Sequence, residues 1–83
     1  MNQNMETQYK TKDIYEASYL LTCGAKLSNL EPTPYDYFLF VLKGDNLDAL
    51  VEKYWTRQSQ IDAYSLFQNF QYLRDLIKRK EMK

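Results

Sequence analysis

Histidine is absent from this sequence, and glycine nearly so, with only Gly24 and Gly44 among 83 residues. The first absence removes the commonest general base, the usual serine and cysteine triads and most zinc ligation. The second leaves no place for a phosphate-cradling P-loop or a dinucleotide fingerprint. Cys23 is the sole cysteine. It excludes an internal disulfide and any multi-cysteine zinc site, and within an apolar helical pattern it reads as a small buried residue. No cofactor is implied. Eleven Lys and Arg balance eleven Asp and Glu, so bulk charge points to no class of partner. The longest apolar runs fall far short of the roughly 18 residues of a membrane span. The first ten residues, MNQNMETQYK, lack the apolar core of a secretory signal and are expected to be a flexible lead-in to a cytoplasmic protein.

What the chain has in quantity is aromatic side chains: eight tyrosines, four phenylalanines and one tryptophan. Apolar residues make up 45% of it, an ordinary balance for one small globular domain. Thr11 can cap a first helix over about residues 11 to 23 that has Asp13 and Glu16 near its positive end, Ile14, Ala17, Leu20, Leu21 and Cys23 on its apolar side, Tyr15 and Tyr19 flanking one turn apart, and Gly24 as the stop. A hairpin is expected next. Its strands are AKLSNL and YDYFLFVL, joined through EPTP and ended by Lys43-Gly44. Asp45 can cap a second helix in which Leu47, Leu50, Val51, Tyr54 and Trp55 form one stripe, with Trp55 expected inside and Tyr54 at its edge. Asp62 can cap a third, with Ile61 and Leu66 closing a hydrophobic staple across it. Leu66, Phe70, Leu73 and Ile77 continue that stripe, which Phe67 and Leu76 widen. The expected fold is therefore α+β, helix, hairpin, helix, helix: a lead-in over 1–10, a compact domain over 11–78 and a frayed basic tail over 79–83.

Several stretches carry a likeness. TKDIYEASYLL followed by Gly24, the FLF strand, LVEKYW, and IDAYSLF leading into a long amphipathic helix resemble a small bacterial and phage-associated family that is itself a domain of unknown function. The Tyr54-Trp55 pair and the Ile61-Asp62-Ala63 start are the distinctive parts. Where that family has a small polar turn with glycine after the aromatic pair, this chain has Thr56, Arg57 and Gln58. The resemblance implies a shared fold and a phage or mobile-element setting, and it brings no activity, cofactor or site with it.

The carboxylate pairs Asp13/Glu16 and Asp45/Asp48 fall in expected first turns of helices, where negative charge is explained by capping and the helix dipole. The chain is accordingly read as no enzyme. In YDYFLFVLK, alternate side chains point to opposite faces, and bulky apolar groups occupy both. Such a strand needs cover on both sides, from helices of this chain, from a second copy or from another protein. Tyr35, Tyr37, Phe38, Phe40 and Tyr54 are the candidate protein interface. The expected function is a non-catalytic accessory or regulatory interaction module, an inhibitor or adaptor of a nucleic-acid enzyme being one concrete form; no membrane or small-molecule partner is inferred. The alternative is direct DNA or RNA binding by Arg74, Lys78, Arg79 and Lys80 of the last helix. Those cations also complement the dipole of a helix C-terminus.

Overall fold

The computed structural model describes residues 6–81. Its elements run β1 (Glu6–Thr11), α1 (Ile14–Thr22), β2 (Lys26–Pro32), β3 (Phe38–Asp45), α2 (Leu47–Trp55) and α3 (Ala63–Glu81). The expected order of helix, hairpin, helix, helix is therefore wrong at its start. A strand comes first, and it turns the β2–β3 hairpin into a three-stranded antiparallel sheet in the order β1-β3-β2. Residues 6–10 of the supposed lead-in belong to β1, while the rest of the lead-in lies outside the described residues. At the other end α3 stays helical through Glu81, so 79–81 are helix rather than frayed tail.

β1 was hidden by its polarity. Thr7, Tyr9 and Thr11 alternate with Glu6, Gln8 and Lys10, and only Tyr9 of the six is a large apolar group. An edge strand with one face to water needs little more. β3 extends beyond Gly44 to Asp45 because Glu6 and Thr7 of β1 pair with those residues.

The two apolar faces of β3 have different fates. Phe40 and Leu42 face the helices and join Ala17, Tyr19, Leu20, Leu30, Leu47 and Leu73 in one core cluster. Val41 is buried on the opposite face, outside that cluster. Lys10 lies opposite Val41 on β1, and Glu31 lies opposite Leu39 on β2. Their side chains meet at 3.3 Å, so the pair reaches across the central strand. The ion pair thus lies on the face that carries Val41, with both charged side chains partly exposed.

α1 is the middle layer. It contacts all three strands on one side and α3 on the other, and Glu16, Ala17, Ser18, Tyr19 and Leu20 are all buried. Asp13, not Thr11, caps it: Asp13 Oδ1 accepts from the amides of Tyr15 at 2.9 Å and Glu16 at 3.3 Å. Thr11 Oγ1 instead accepts from the Asp13 amide at 3.0 Å. The helix ends in a Schellman turn, with Gly24 N–H donating to Leu21 O and Ala25 N–H to Leu20 O. Gly24 takes φ 107°, which any side chain would strain.

α2 starts at Asn46, a left-handed residue with φ 57°, rather than at Asp45, which is still in β3. Its end is a second Schellman turn, Arg57 N–H to Tyr54 O and Gln58 N–H to Lys53 O. Arg57 occupies the left-handed position at φ 62°, the place where glycine is favoured. Among the described residues no helix is long and apolar enough to cross a membrane.

Candidate protein-docking groove

Residues 15, 18 and 19 of α1 share one helical face, as do 66 and 70 of α3, with Phe67 beside them. α3 runs antiparallel to α1: Asn69 Nδ2 donates to Thr22 Oγ1 at 3.0 Å, while Ile77 shares a cavity wall with Ile14 at the far end. The turn at Arg57 sends the chain back toward α1, which places Ser59 and Ile61 between the helices. Asp62 then starts α3. Its Oδ2 accepts from the Ser65 amide and Ser65 Oγ, both at 2.8 Å, and these bonds hold its carboxyl below the usual carboxylate range. Ile61 and Leu66 flank this cap, both half-buried against the core, as a hydrophobic staple would have them.

The result is a recess of about 570 Å³ between α1, the α2–α3 connection and α3. Tyr15, Tyr19, Tyr54, Ile61, Leu66, Phe67 and Phe70 form most of its wall, with Ser18 and Ser59. None of its lining side chains carries a charge. Tyr15 and Phe67 at its rim are 63% and 66% exposed. Tyr15 stacks on Phe70 with centroids 5.3 Å apart and planes 8° from parallel. Beyond that stack lies a second recess of about 480 Å³, walled by Ile14, Tyr15, Phe70 and Ile77 and by Arg74, Lys78 and Glu81. Arg74 sits 5.9 Å from the Phe70 ring centroid, at the outer limit for a cation–π contact.

Next to Tyr15 in α1 is Glu16, which lines neither recess. Its side chain is 2% exposed, and Oε2 accepts from Tyr9 Oη at 3.1 Å and from Trp55 Nε1 at 2.7 Å. One buried oxygen thus ties α1 to β1 and to the end of α2. Trp55 is 62% exposed, and the half-buried Tyr54 packs on Tyr19 at 5.1 Å. The expected roles of the pair are reversed, because the indole N–H has its partner on the flank of α1 rather than in the core.

Burial raises the phenol of Tyr54, aided by the charges of Asp13 and Glu16. It pushes Tyr19 up to about 12, with a hydrogen bond to the Cys23 thiol as the next cause. Burial is also the largest cause for Tyr9, followed by Glu16. These phenols are neutral hydrogen-bonding groups at ordinary pH. Ser18 Oγ is already committed to Ile14 O at 2.7 Å. Among the described residues no group of three or more His, Cys, Asp or Glu side chains is placed to hold a metal ion. The chemistry on offer is apolar contact, aromatic stacking and neutral hydrogen bonds.

The structure disperses the interface expected from sequence. Phe40 is 1% exposed in the core and Phe38 is half-buried beside it. Tyr35 and Tyr37 precede β3, in the turn between β2 and β3, and stack at 5.8 Å. Thr33 Oγ1 accepts from the Tyr35 amide at 3.1 Å and donates to Tyr37 O at 2.7 Å, while Lys12 lies 5.0 Å over the Tyr37 ring. Only Tyr54 lines the groove. Of the basic candidates, Arg74 and Lys78 line the second recess. Arg79 and Lys80 are exposed farther along α3, Arg79 being turned about 100° from Lys78. Tyr15, Phe67 and Phe70 were not singled out as site residues. Their signals were Tyr15 on the flank of the α1 stripe and Phe67 and Phe70 in the α3 stripe, patterns that mark a helix face without saying whether it is covered.

Comparison of the chain with models of protein families, with curated proteins and with solved structures finds no match in any of the three.

Proposed function

We propose that this chain is a non-catalytic protein-interaction module that receives an apolar anchor of a partner protein in the recess between α1 and α3. One observation carries the reading: an uncharged aromatic recess of about 570 Å³ whose rim residues Tyr15 and Phe67 stand nearly two-thirds exposed. Large aromatic rings converging on a pocket are the usual anchors of binding energy at protein interfaces. Nothing that lines the recess is suited to move a proton at neutral pH, which favours binding over catalysis. An accessory or regulatory role in the cytoplasm, where the Cys23 thiol stays reduced, completes the reading.

The test is affinity capture from nuclease-treated lysate with three baits: the wild-type chain, Phe67→Glu and Tyr35→Ala. A defined protein retained by wild type and by Tyr35→Ala, and lost with Phe67→Glu, is the expected result. Retention by all three baits would move the binding surface elsewhere. Recovery that disappears with nuclease would instead favour nucleic-acid contact through Arg74, Lys78, Arg79 and Lys80.

A further inference from the structure

We infer that the occupant of this groove is an amphipathic helix with bulky apolar side chains toward one end and carboxylates toward the other. The inference rests on the docking reading above and adds the partner's chemistry. The two recesses are one groove in two compartments, since Tyr15 and Phe70 line both. The first compartment has no charged lining. The second sets Arg74 and Lys78 against a single carboxylate, Glu81, over an apolar floor of Ile14 and Ile77. Asp75, the other acid on this part of α3, is held by Gln71 Nε2 at 3.0 Å on an adjoining exposed face. The open end therefore favours anionic side chains, held by charge-assisted hydrogen bonds over an apolar base.

The form of the occupant follows from the walls. α1 and α3 lie antiparallel, and Phe67, Phe70, Arg74 and Lys78 follow one another along α3 at steps of three and four residues. From Phe67 to Lys78 the groove extends about 16 Å at 1.5 Å per residue, three turns of a helix laid alongside. A third helix there completes a bundle and covers the aromatic side chains that α1 and α3 leave exposed, Tyr15 and Phe67. The Tyr15–Phe70 stack stands between the compartments as a ridge, so the occupant carries a small residue, Gly, Ala or Ser, where it crosses. Its apolar anchors then repeat at i and i+3 or i+4 on one side of that small residue. Its carboxylates lie about two turns away on the other.

A random peptide display library panned against the full-length protein tests this directly. The expected enrichment is for apolar anchors at helical spacing, a small residue, then Asp or Glu about two turns away. A synthetic peptide of the enriched sequence should lose at least about tenfold in affinity with Phe67→Glu. With Arg74→Glu and Lys78→Glu together it should lose several-fold, and it should bind more weakly at high salt. All three positions are exposed, and circular dichroism of the variants checks that the fold is kept. Enriched peptides that depend on Phe67 but show no acidic preference, or a basic one, overturn the partner chemistry and leave the groove as a docking site. Enrichment of nothing that Phe67→Glu abolishes overturns the docking reading itself.

Discussion

Two parts of this molecule expose aromatic rings to a similar degree and differ in what surrounds them. In the β2–β3 turn, Tyr35 is 70% exposed and Tyr37 39%, yet the two stack on each other and Thr33 and Lys12 supply their polar and cationic contacts. In the groove, Tyr15 and Phe67 stand above a concave wall that three segments of chain build around them. Both regions stack their rings, Tyr15 on Phe70 as Tyr35 on Tyr37. But the turn encloses only a recess of about 230 Å³ that Asp36 and Glu81 also line, whereas the groove leaves an uncharged one of about 570 Å³. Exposure alone does not mark a binding surface, because isolated exposed apolar groups are ordinary in soluble proteins. Convergence of several such groups on one recess does.

The largest perturbation removes both regions at once. Phe40→Asp puts a charge at the centre of the inner sheet face, where Phe40 is 1% exposed. The expected cost exceeds about 4 kcal/mol, a large share of what a small domain has. Circular dichroism should show an unfolded chain.

Trp55→Phe should loosen the join between α2 and α1 and leave the β2–β3 turn alone. It removes the indole donor 2.7 Å from the buried Glu16 carboxylate, whose remaining bond to Tyr9 is the longer one at 3.1 Å. Loss of a hydrogen bond to a charged group costs about 1.5–3 kcal/mol, readable in urea unfolding. The ring itself is largely exposed, so little of that loss is apolar.

Alkaline pH probes the groove side by another route. Tyr19 and Tyr54, which line the recess, and Tyr9 of β1, bonded to Glu16, have folded-state values above the ordinary tyrosine value. A raised value means that the fold favours the protonated phenol. The associated stability is complete below pH about 10 and is lost as pH rises through the folded values, which for Tyr19 is about 12. Ultraviolet titration should resolve a late-ionising class of tyrosines, and that class should merge with the rest in the unfolded Phe40→Asp chain.

The smallest effect is a gain. Arg57 holds a left-handed turn at φ 62° that directs the chain into the groove wall. Arg57→Gly removes a steric cost of about 1–2 kcal/mol but adds backbone entropy to the unfolded chain. A net stabilisation of up to about 1 kcal/mol in thermal or urea melts is expected.

How much of this was legible in the sequence depended on whether each signal was local. The α1 stop at Gly24, the Asp62 cap and the Leu47, Leu50, Val51 and Tyr54 part of the α2 stripe are short-range patterns, and each marks a real boundary or face. β1 was illegible because Glu6, Gln8 and Lys10 face away from the core and its inner face is mostly threonine. Its pairing with β3 joins residues far apart in the chain. The Tyr54-Trp55 orientation was missed for the same reason: the indole is turned outward by Glu16, 39 positions away in sequence. The groove itself depends on the length of α3 relative to α1 and on where the Arg57 turn sends Ile61. Periodicity marked the apolar stripes of α1 and α3, but not which part of them would stay open.

Placing a photo-crosslinking phenylalanine analogue at position 67, and separately at position 35, in the otherwise unchanged chain tests the central claim most directly. The account predicts one defined protein adduct from position 67 on irradiation in lysate and none of that adduct from position 35. Crosslinking to that protein from position 35 with none from position 67 would contradict it, and would make the self-stacked turn the true contact surface.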